Sequence, residues 1–317
     1  MKKYWIFVPV VIILIIGVIL SISLHVDTFE VMTIPRSYSY VSTYSDQDEM
    51  DVYVYVSTKN SYLTKKEYVS NAFICSNKTG DILNVKLLDI TDCENKKKIY
   101  NHNFYLFKFS FDISFNTTTE YELSIKDAVL TLDYNSKEVN LELGSFYYYK
   151  MPYYGDSTNH LTITSLKPIL GYIEENRTVS GFRIGLRNNS SKKIRIVDVK
   201  LLDPNIYPSL REVKIVDDEN GIETMSSILG YNYNLKSKEV ETSDLDLEIN
   251  KNDNINIVIP IKYIEDYPIN SFGFIISYTE EGSEEVIKYY YDDFIFFNSI
   301  QETYEESKLK ISTYDNN

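Results

Sequence analysis

The chain has 317 residues, a formal charge of −14 at pH 7 and an apolar fraction of 44%, enough apolar text to close packed cores in two domains of ordinary size. An acidic surface of this kind is a poor counterpart for nucleic acid or for an anionic lipid face, and charge argues against both. Alanine stands only at positions 72 and 128, against 29 tyrosines; a chain this poor in the best helix former and this rich in aromatic and β-branched residues reads as strand.

Residues 4–24, from Tyr4 to Leu24, carry no charge. At about 1.5 Å per helical residue they reach roughly 30 Å, the depth of a bilayer's hydrocarbon core. Lys2 and Lys3 precede the run, Tyr4 and Trp5 sit at headgroup level, and Asp27 and Glu30 follow it. That asymmetry predicts a single-pass signal anchor with residues 1–3 as a cytoplasmic tip and everything beyond the span extracytoplasmic, at the cell membrane. Ser21 and Ser23 have the spacing of a signal-peptidase site, the competing reading, but the apolar run from Trp5 to Leu20 outlasts a signal core.

Residues 25–49 are polar, contain Pro35 and show no sustained period, which predicts a stem. From Met50 the text alternates apolar with polar residues in short runs such as DVYVYVS, ILNVKLLDI and FYLFKFSFDISF, parted by turn-like clusters such as SNKTGD. This predicts a first β-sandwich over residues 50–151. After Met151-Pro152 the same kind of text resumes, with HLTITSL, KKIRIVDVKLL, NINIVIPIKY and FGFIISYT, and predicts a second sandwich over residues 152–298. The word VKLLD occurs at Val85–Asp89 and again at Val199–Asp203, and both halves end in tyrosine-rich text around Tyr134 and Tyr278. Aligned on VKLLD, the halves read as a tandem duplication with an insertion near 204–246 in the second, and a loop of that length is the expected recognition surface. Residues 299–317 open with Ser299 and Glu302 at capping-box spacing and predict a short charged helix that frays into a disordered end.

The expected fold is therefore all-β, a transmembrane helix followed by two tandem antiparallel sandwiches. In strand count and spacing this architecture resembles immunoglobulin-like surface proteins, a resemblance that transfers no functional residue.

Chemistry-bearing motifs are sparse. His25, His102 and His160 are scattered and none forms a ligand-spaced pair, so they read as surface or strand-end imidazoles. Cys75 and Cys93 are separated by about a strand length if their strands pair as a hairpin, too far for a disulfide. Asp244, Asp246 and Glu248 would share one face of a strand and suggest calcium, but Leu245, Leu247 and Ile249 alternate with them as in an ordinary half-buried strand; the carboxylates of 217–219 read as a solvated turn. The tyrosine runs 147–149, 153–154 and 289–291 could offer platforms for sugars, yet neighbouring strand residues point to opposite faces, which favours packing. Sequons stand at Asn77, Asn116, Asn176, Asn188 and Asn189. The site expectation is accordingly no catalytic residue, no cofactor and no metal. The function expected is a non-catalytic, membrane-tethered interaction or structural protein with a protein partner, the alternative being a glycan- or peptide-binding module that uses exposed tyrosines.

Overall fold

The computed structural model describes residues 28–42, 48–76, 78–113, 119–151, 160–173, 176–216, 245–267, 269, 271–295 and 310–315. The expected membrane span at 4–24 lies outside them; among the described residues no helix is long and apolar enough to cross a membrane. Three single-turn 3₁₀ segments apart, the regular structure described is strand.

Eighteen strands follow in chain order: β1 (Thr28–Thr33), β2 (Arg36–Ser42), β3 (Glu49–Val56), β4 (Val69–Ser76), β5 (Ile82–Ile99), β6 (His102–Asp112), β7 (Tyr121–Tyr134), β8 (Lys137–Lys150), β9 (Leu161–Ile173), β10 (Asn176–Asn188), β11 (Ile194–Leu202), β12 (Ile206–Pro208), β13 (Lys214–Val216), β14 (Leu247–Ile249), β15 (Asn254–Tyr263), β16 (Ser271–Glu280), β17 (Ile287–Ile295) and β18 (Ser312–Asp315). The first nine-stranded path runs β18-β1-β3-β6-β5-β4-β7-β8-β2. It folds over a single core because β5 changes layers: Ile82–Val85 pair with β4, and from Lys86 onward the strand pairs with β6. Alternate residues of β3 (Val52, Val54), β6 (Phe107, Phe109, Phe111), β7 (Leu130, Leu132) and β8 (Val139, Leu141) meet in that core, as a half-buried strand requires. The hairpin β7–β8 turns through Asn135 (φ 43°) and Ser136 (φ 63°), the two left-handed residues of a turn whose twist matches its strands.

The second half forms two sheets, β12-β15-β10-β9 with β13 beside β15, and β14-β11-β16-β17. They share a core of Ile184, Ile196, Ile257, Ile259, Phe182, Phe274 and neighbours. Set the first-half strands β1, β3, β4, β5, β6, β7, β8 against β9, β10, β11, β14, β15, β16, β17. Both halves then have the same order, first-second-fifth in one layer and fourth-third-sixth-seventh in the other.

Three expectations change. The stem expected at 25–49 supplies two strands: TFEVMT and RSYSYVS are each strand-like, and Pro35 between them, without an N–H, ends the first ladder and lets the chain step to the other layer. There β2 pairs in parallel with β8. VKLLD does not mark equivalent places, because Val85–Asp89 lies in the fourth strand of its half and Val199–Asp203 closes the third of the other; Tyr134 and Tyr278 do correspond, both in sixth strands. The end of the tail is ordered as β18, antiparallel to β1, while the helix expected from Ser299 lies outside the described residues.

Candidate functional site at the sandwich junction

β2 carries the contact between the two halves. Its alternation places Ser37, Ser39 and Val41 away from β8's core side and against the second half. Ser39 Oγ donates to the carbonyl of Leu202. Val41 lies over Gly273, where an added Cβ would come 2.2 Å from Val41 Cγ2 and 2.9 Å from the Tyr291 carbonyl, so only glycine lets the strands approach this closely. Around them Tyr147, Tyr149, Leu202 and Ile275 form a small apolar cluster of their own, and Tyr149 stacks on Tyr290 with centroids 6.2 Å apart.

At the centre sits Asp203, 4% exposed. Ser37 Oγ lies 2.8 and 2.6 Å from its two carboxylate oxygens and 2.5 Å from Ser145 Oγ, and the Asn205 N–H donates to Oδ1 at 2.7 Å. One hydroxyl has one proton, so Ser37 gives its own to the carboxylate and receives one from Ser145. Burial pushes the Asp203 carboxyl up to about 7, opposed by the bonds from Ser37 and Asn205. Asn205 ties the following loop down: its Nδ2 donates to the Tyr267 carbonyl at 2.9 Å and its Oδ1 accepts the Glu265 N–H at 2.6 Å. At the rim Glu122 accepts from Tyr147 Oη at 2.8 Å and from Lys200 at 3.2 Å, and Glu120 accepts from Tyr149 Oη at 2.5 Å. Both phenols are raised, by burial first and then by these bonds. Beside the junction a cleft of about 280 Å³ is walled by Thr79, Lys126, Asp127, Asn205, Glu265 and Tyr267, with Lys78 paired to Asp127 at 2.5 Å.

A second feature lies on the loop between β3 and β4. Lys65 is held 5.7 and 5.8 Å from the ring centres of Tyr62 and Tyr68, and Lys59 and Lys96 both face Tyr105, at 5.3 and 5.6 Å. Lys66 donates to the Leu88 carbonyl, so the loop is laid against β5, and Lys59 is paired there with Asp92.

The residues singled out from the sequence disperse. His102 faces Glu30 at 3.0 Å and His160 bonds to Glu280; His25 lies outside the described residues. Cys75 and Cys93 are free thiols, Cys75 beside Thr131 at 3.9 Å and Cys93 against the separate cluster of Met32, Tyr55 and Phe104; burial pushes the Cys93 thiol up. Asp246 pairs with Arg195 at 2.6 Å and Glu248 with Lys193 at 3.0 Å, so Arg195 of β11 and Lys193 just before it supply the countercharge that a cation would have supplied; Asp244 and 217–219 lie outside the described residues. Among those residues no group of three or more His, Cys, Asp or Glu is placed to hold a metal. Asn188 is fully buried, its Nδ2 donating to the carbonyls of Lys192, Ile249 and Asn250, a turn-bracing role incompatible with a glycan. Asp203 and the lysines beside tyrosine rings were not singled out from sequence. The signal for Asp203 was a carboxylate directly after an apolar strand and before Pro204; the lysines come from the β3–β4 loop and from β5.

No protein-family model and no curated protein matches the sequence. Among solved structures, the chain is similar to a protein of unknown function from Porphyromonas gingivalis at 11% identity, over 83% of this chain and 99% of that one, with a TM-score of 0.22. It is similar also to the C-terminal domain of the Streptococcus agalactiae AgI/II polypeptide BspA, at 8% identity over 83% and 97% of the two chains, with a TM-score of 0.17.

Proposed function

We propose that this chain is a membrane-anchored, extracytoplasmic, non-catalytic interaction protein, made of two tandem immunoglobulin-like sandwiches whose junction fixes their mutual geometry. The immunoglobulin-like assignment rests on the strand order common to both halves, first-second-fifth against fourth-third-sixth-seventh, and on a first strand split at Pro35 with its second part parallel to the last strand. The anchor rests on the uncharged run 4–24 and its flanking lysines. The dispersal of the titratable residues singled out in the sequence supports a non-catalytic role, His102 meeting Glu30 in the first sandwich and His160 meeting Glu280 in the second.

The single observation that carries the interaction reading is the set of lysines held against tyrosine rings on the first sandwich, Lys65 over Tyr62 and Tyr68 and Lys96 over Tyr105, with Lys66 beside them. Aromatic rings with fixed cations on an otherwise acidic protein suit an acidic protein surface. The tyrosines fit a sugar platform less well: Tyr62 and Tyr68 are inclined by 53° to each other, and Tyr147 and Tyr149 are buried at the junction. The test is surface crosslinking of the full-length protein in native membranes, mild-detergent purification and mass spectrometry, with Lys65→Glu/Lys66→Glu/Lys96→Glu alongside the unaltered chain. A stoichiometric partner retained by the unaltered chain and lost by the variant is the expected result. Recovery of the chain alone, or a partner indifferent to the reversal, overturns the reading.

A further inference from the structure

The last strand of the chain belongs to the first sandwich, although it follows the second in sequence. β18 adds to the outer edge of β1 with Ser312 opposite Val31, Thr313 opposite Glu30, Tyr314 opposite Phe29 and Asp315 opposite Thr28. On its other side β1 pairs with β3 through Val31–Thr33, and Glu30 bonds Ser57 through both of its backbone groups, so Thr28 and Phe29 have β18 as their principal ladder neighbour. The fit is specific as well as hydrogen-bonded. Tyr314, with Lys310 and Ser312, walls a groove of about 240 Å³ against residues of β1 and β8, and its ring lies 6.1 Å from that of Phe29. Its hydroxyl accepts the Asn140 N–H at 3.2 Å and donates to the Asn140 carbonyl at 3.3 Å. Tyr134 Oη donates to the Asp315 carbonyl at 2.9 Å. Charge matches at both ends, Lys310 with Glu142 at 2.7 Å and Asp315 with Lys137 at 3.7 Å.

We propose that the outer edge of β1, with the groove between β1 and β8, is a strand-acceptor site that takes the C-terminal strand of a second copy of this chain, the strand seated there in cis being an exchangeable occupant. Strand addition takes affinity from main-chain bonds and specificity from side-chain pockets, and both are present here. The anchoring contacts all come from residues 310–315, so the same six residues of another copy make the same bonds. Donor and acceptor are different surfaces of one molecule: a reciprocal exchange closes a dimer, and a one-way exchange extends into a chain of copies. The cis strand competes at an effective concentration on the order of millimolar, which is why the site is best read in a chain whose own strand has lost its anchor.

The test uses the full chain in detergent micelles carrying Tyr314→Ala, probed with a fluorescent synthetic peptide of residues 310–317. The peptide is expected to bind this chain at least ~10-fold more tightly than the unaltered chain, whose own strand competes, and to lose binding when it carries Tyr314→Ala itself. Immobilised Tyr314→Ala chain should capture tagged unaltered chain and release it to excess peptide. Glu142→Lys, an exposed change that leaves the cores intact, should weaken the peptide roughly 3-fold, and a peptide with Lys310→Glu should restore it. Failure of the peptide or of the second copy to bind the Tyr314→Ala chain overturns the proposal. So does binding indifferent both to Tyr314 of the peptide and to the charge exchange.

Discussion

The two sandwiches share a strand order and little else. The first crosses between its layers in one 18-residue strand, β5, that serves β4 and then β6. The second divides that crossing among β12 and β13, which pair with β15, and β14, which pairs with β11, with residues 217–244 between them. Their first strands differ in the same spirit: β9 is a single strand pairing with β10 from Leu161 to Ile173, whereas the first sandwich breaks its own at Pro35 and completes the edge with β18. One core is rich in Phe and Tyr, the other in Ile. An order of strands can thus be kept while the stabilising contacts are redistributed, and in the first sandwich part of them comes from the far end of the chain.

The largest test asks whether each core is its own cooperative unit. Phe109 and Phe182 are fully buried, one in each half. Truncation of either to alanine should cost about 3–5 kcal/mol, by lost burial and the cavity left behind. Differential scanning calorimetry should show the single endotherm of the full chain in micelles splitting, with the early peak belonging to the first sandwich in Phe109→Ala and to the second in Phe182→Ala. One undivided peak shifted equally by both would mean that the junction makes the two halves a single unit.

The next effect sharpens the contrast between the two copies of VKLLD. Asp89 is exposed and accepts only a local bond from Thr91 at 3.1 Å, while Asp203 is buried with its carboxyl raised from 3.8 to about 7. A raised carboxyl binds its proton more tightly in the folded state than in the unfolded one. Its contribution is therefore fully present below pH 3.8, declines as pH climbs toward about 7, and is gone above that. The full span is at most about 4 kcal/mol. Asp203→Asn keeps an acceptor for Ser37 and the Asn205 N–H and should remove this slope, so that the variant gains on the unaltered chain as pH rises from 4 to 8. Asp89→Asn, at an exposed position, should cost less than about 0.5 kcal/mol. Thermal unfolding across that range, read as the difference between variant and unaltered chain, decides it; parallel curves for Asp203→Asn would mean that the carboxyl is not buried at the junction.

A smaller loss is expected where β2 meets β8. Gly144 has φ +103°, and a Cβ there would lie 2.3 Å from the Arg36 carbonyl oxygen. Gly144→Ala should cost about 2–3 kcal/mol through strain and overpacking and speed hydrogen exchange along β2. Gly80 also has positive φ, +76°, but open space around it, and Gly80→Ala should cost about 1–2 kcal/mol, from the backbone conformation alone. Equal costs would show that β2 is not pressed against β8.

What the sequence made legible follows from the range of the forces involved. Alternation in DVYVYVS or FYLFKFSFDISF is a local signal, and β3 and β6 lie where it places them. The pairing of Asp246 with Arg195 and of Glu248 with Lys193 joins residues about 50 apart in sequence and has no local mark, so the carboxylates alone suggested a cation. TFEVMT and RSYSYVS are too short, and too near a proline, to show a period, and their strand character depends on partners at Val54–Val56 and Gly144–Lys150. VKLLD misled because five apolar-leaning residues fit the fourth strand of one sandwich as well as the third of the other. Tyr134 and Tyr278 both fall in sixth strands because each of those strands closes an antiparallel hairpin with the seventh.

The smallest effect separates the two sixth-strand tyrosines. Tyr134, raised to about 12 chiefly by burial, donates its hydroxyl to the Asp315 carbonyl and so reaches from the first core to the last strand of the chain. Tyr278 lies in the sixth strand of the second sandwich, buried in its own core, with no bearing on β18. Tyr134→Phe keeps the ring and removes one hydrogen bond, a loss of about 1 kcal/mol. Because that bond fastens β18 and not the first core, global unfolding should move little, while the amides of residues 312–315 and their partners in β1 exchange severalfold faster. Tyr278→Phe should leave those amides unchanged. Hydrogen exchange read by mass spectrometry on both variants distinguishes the two tyrosines. Equal protection of residues 312–315 in Tyr134→Phe and the unaltered chain would mean that the ladder with β1 and the Tyr314 bonds to Asn140 hold the strand without help from Tyr134.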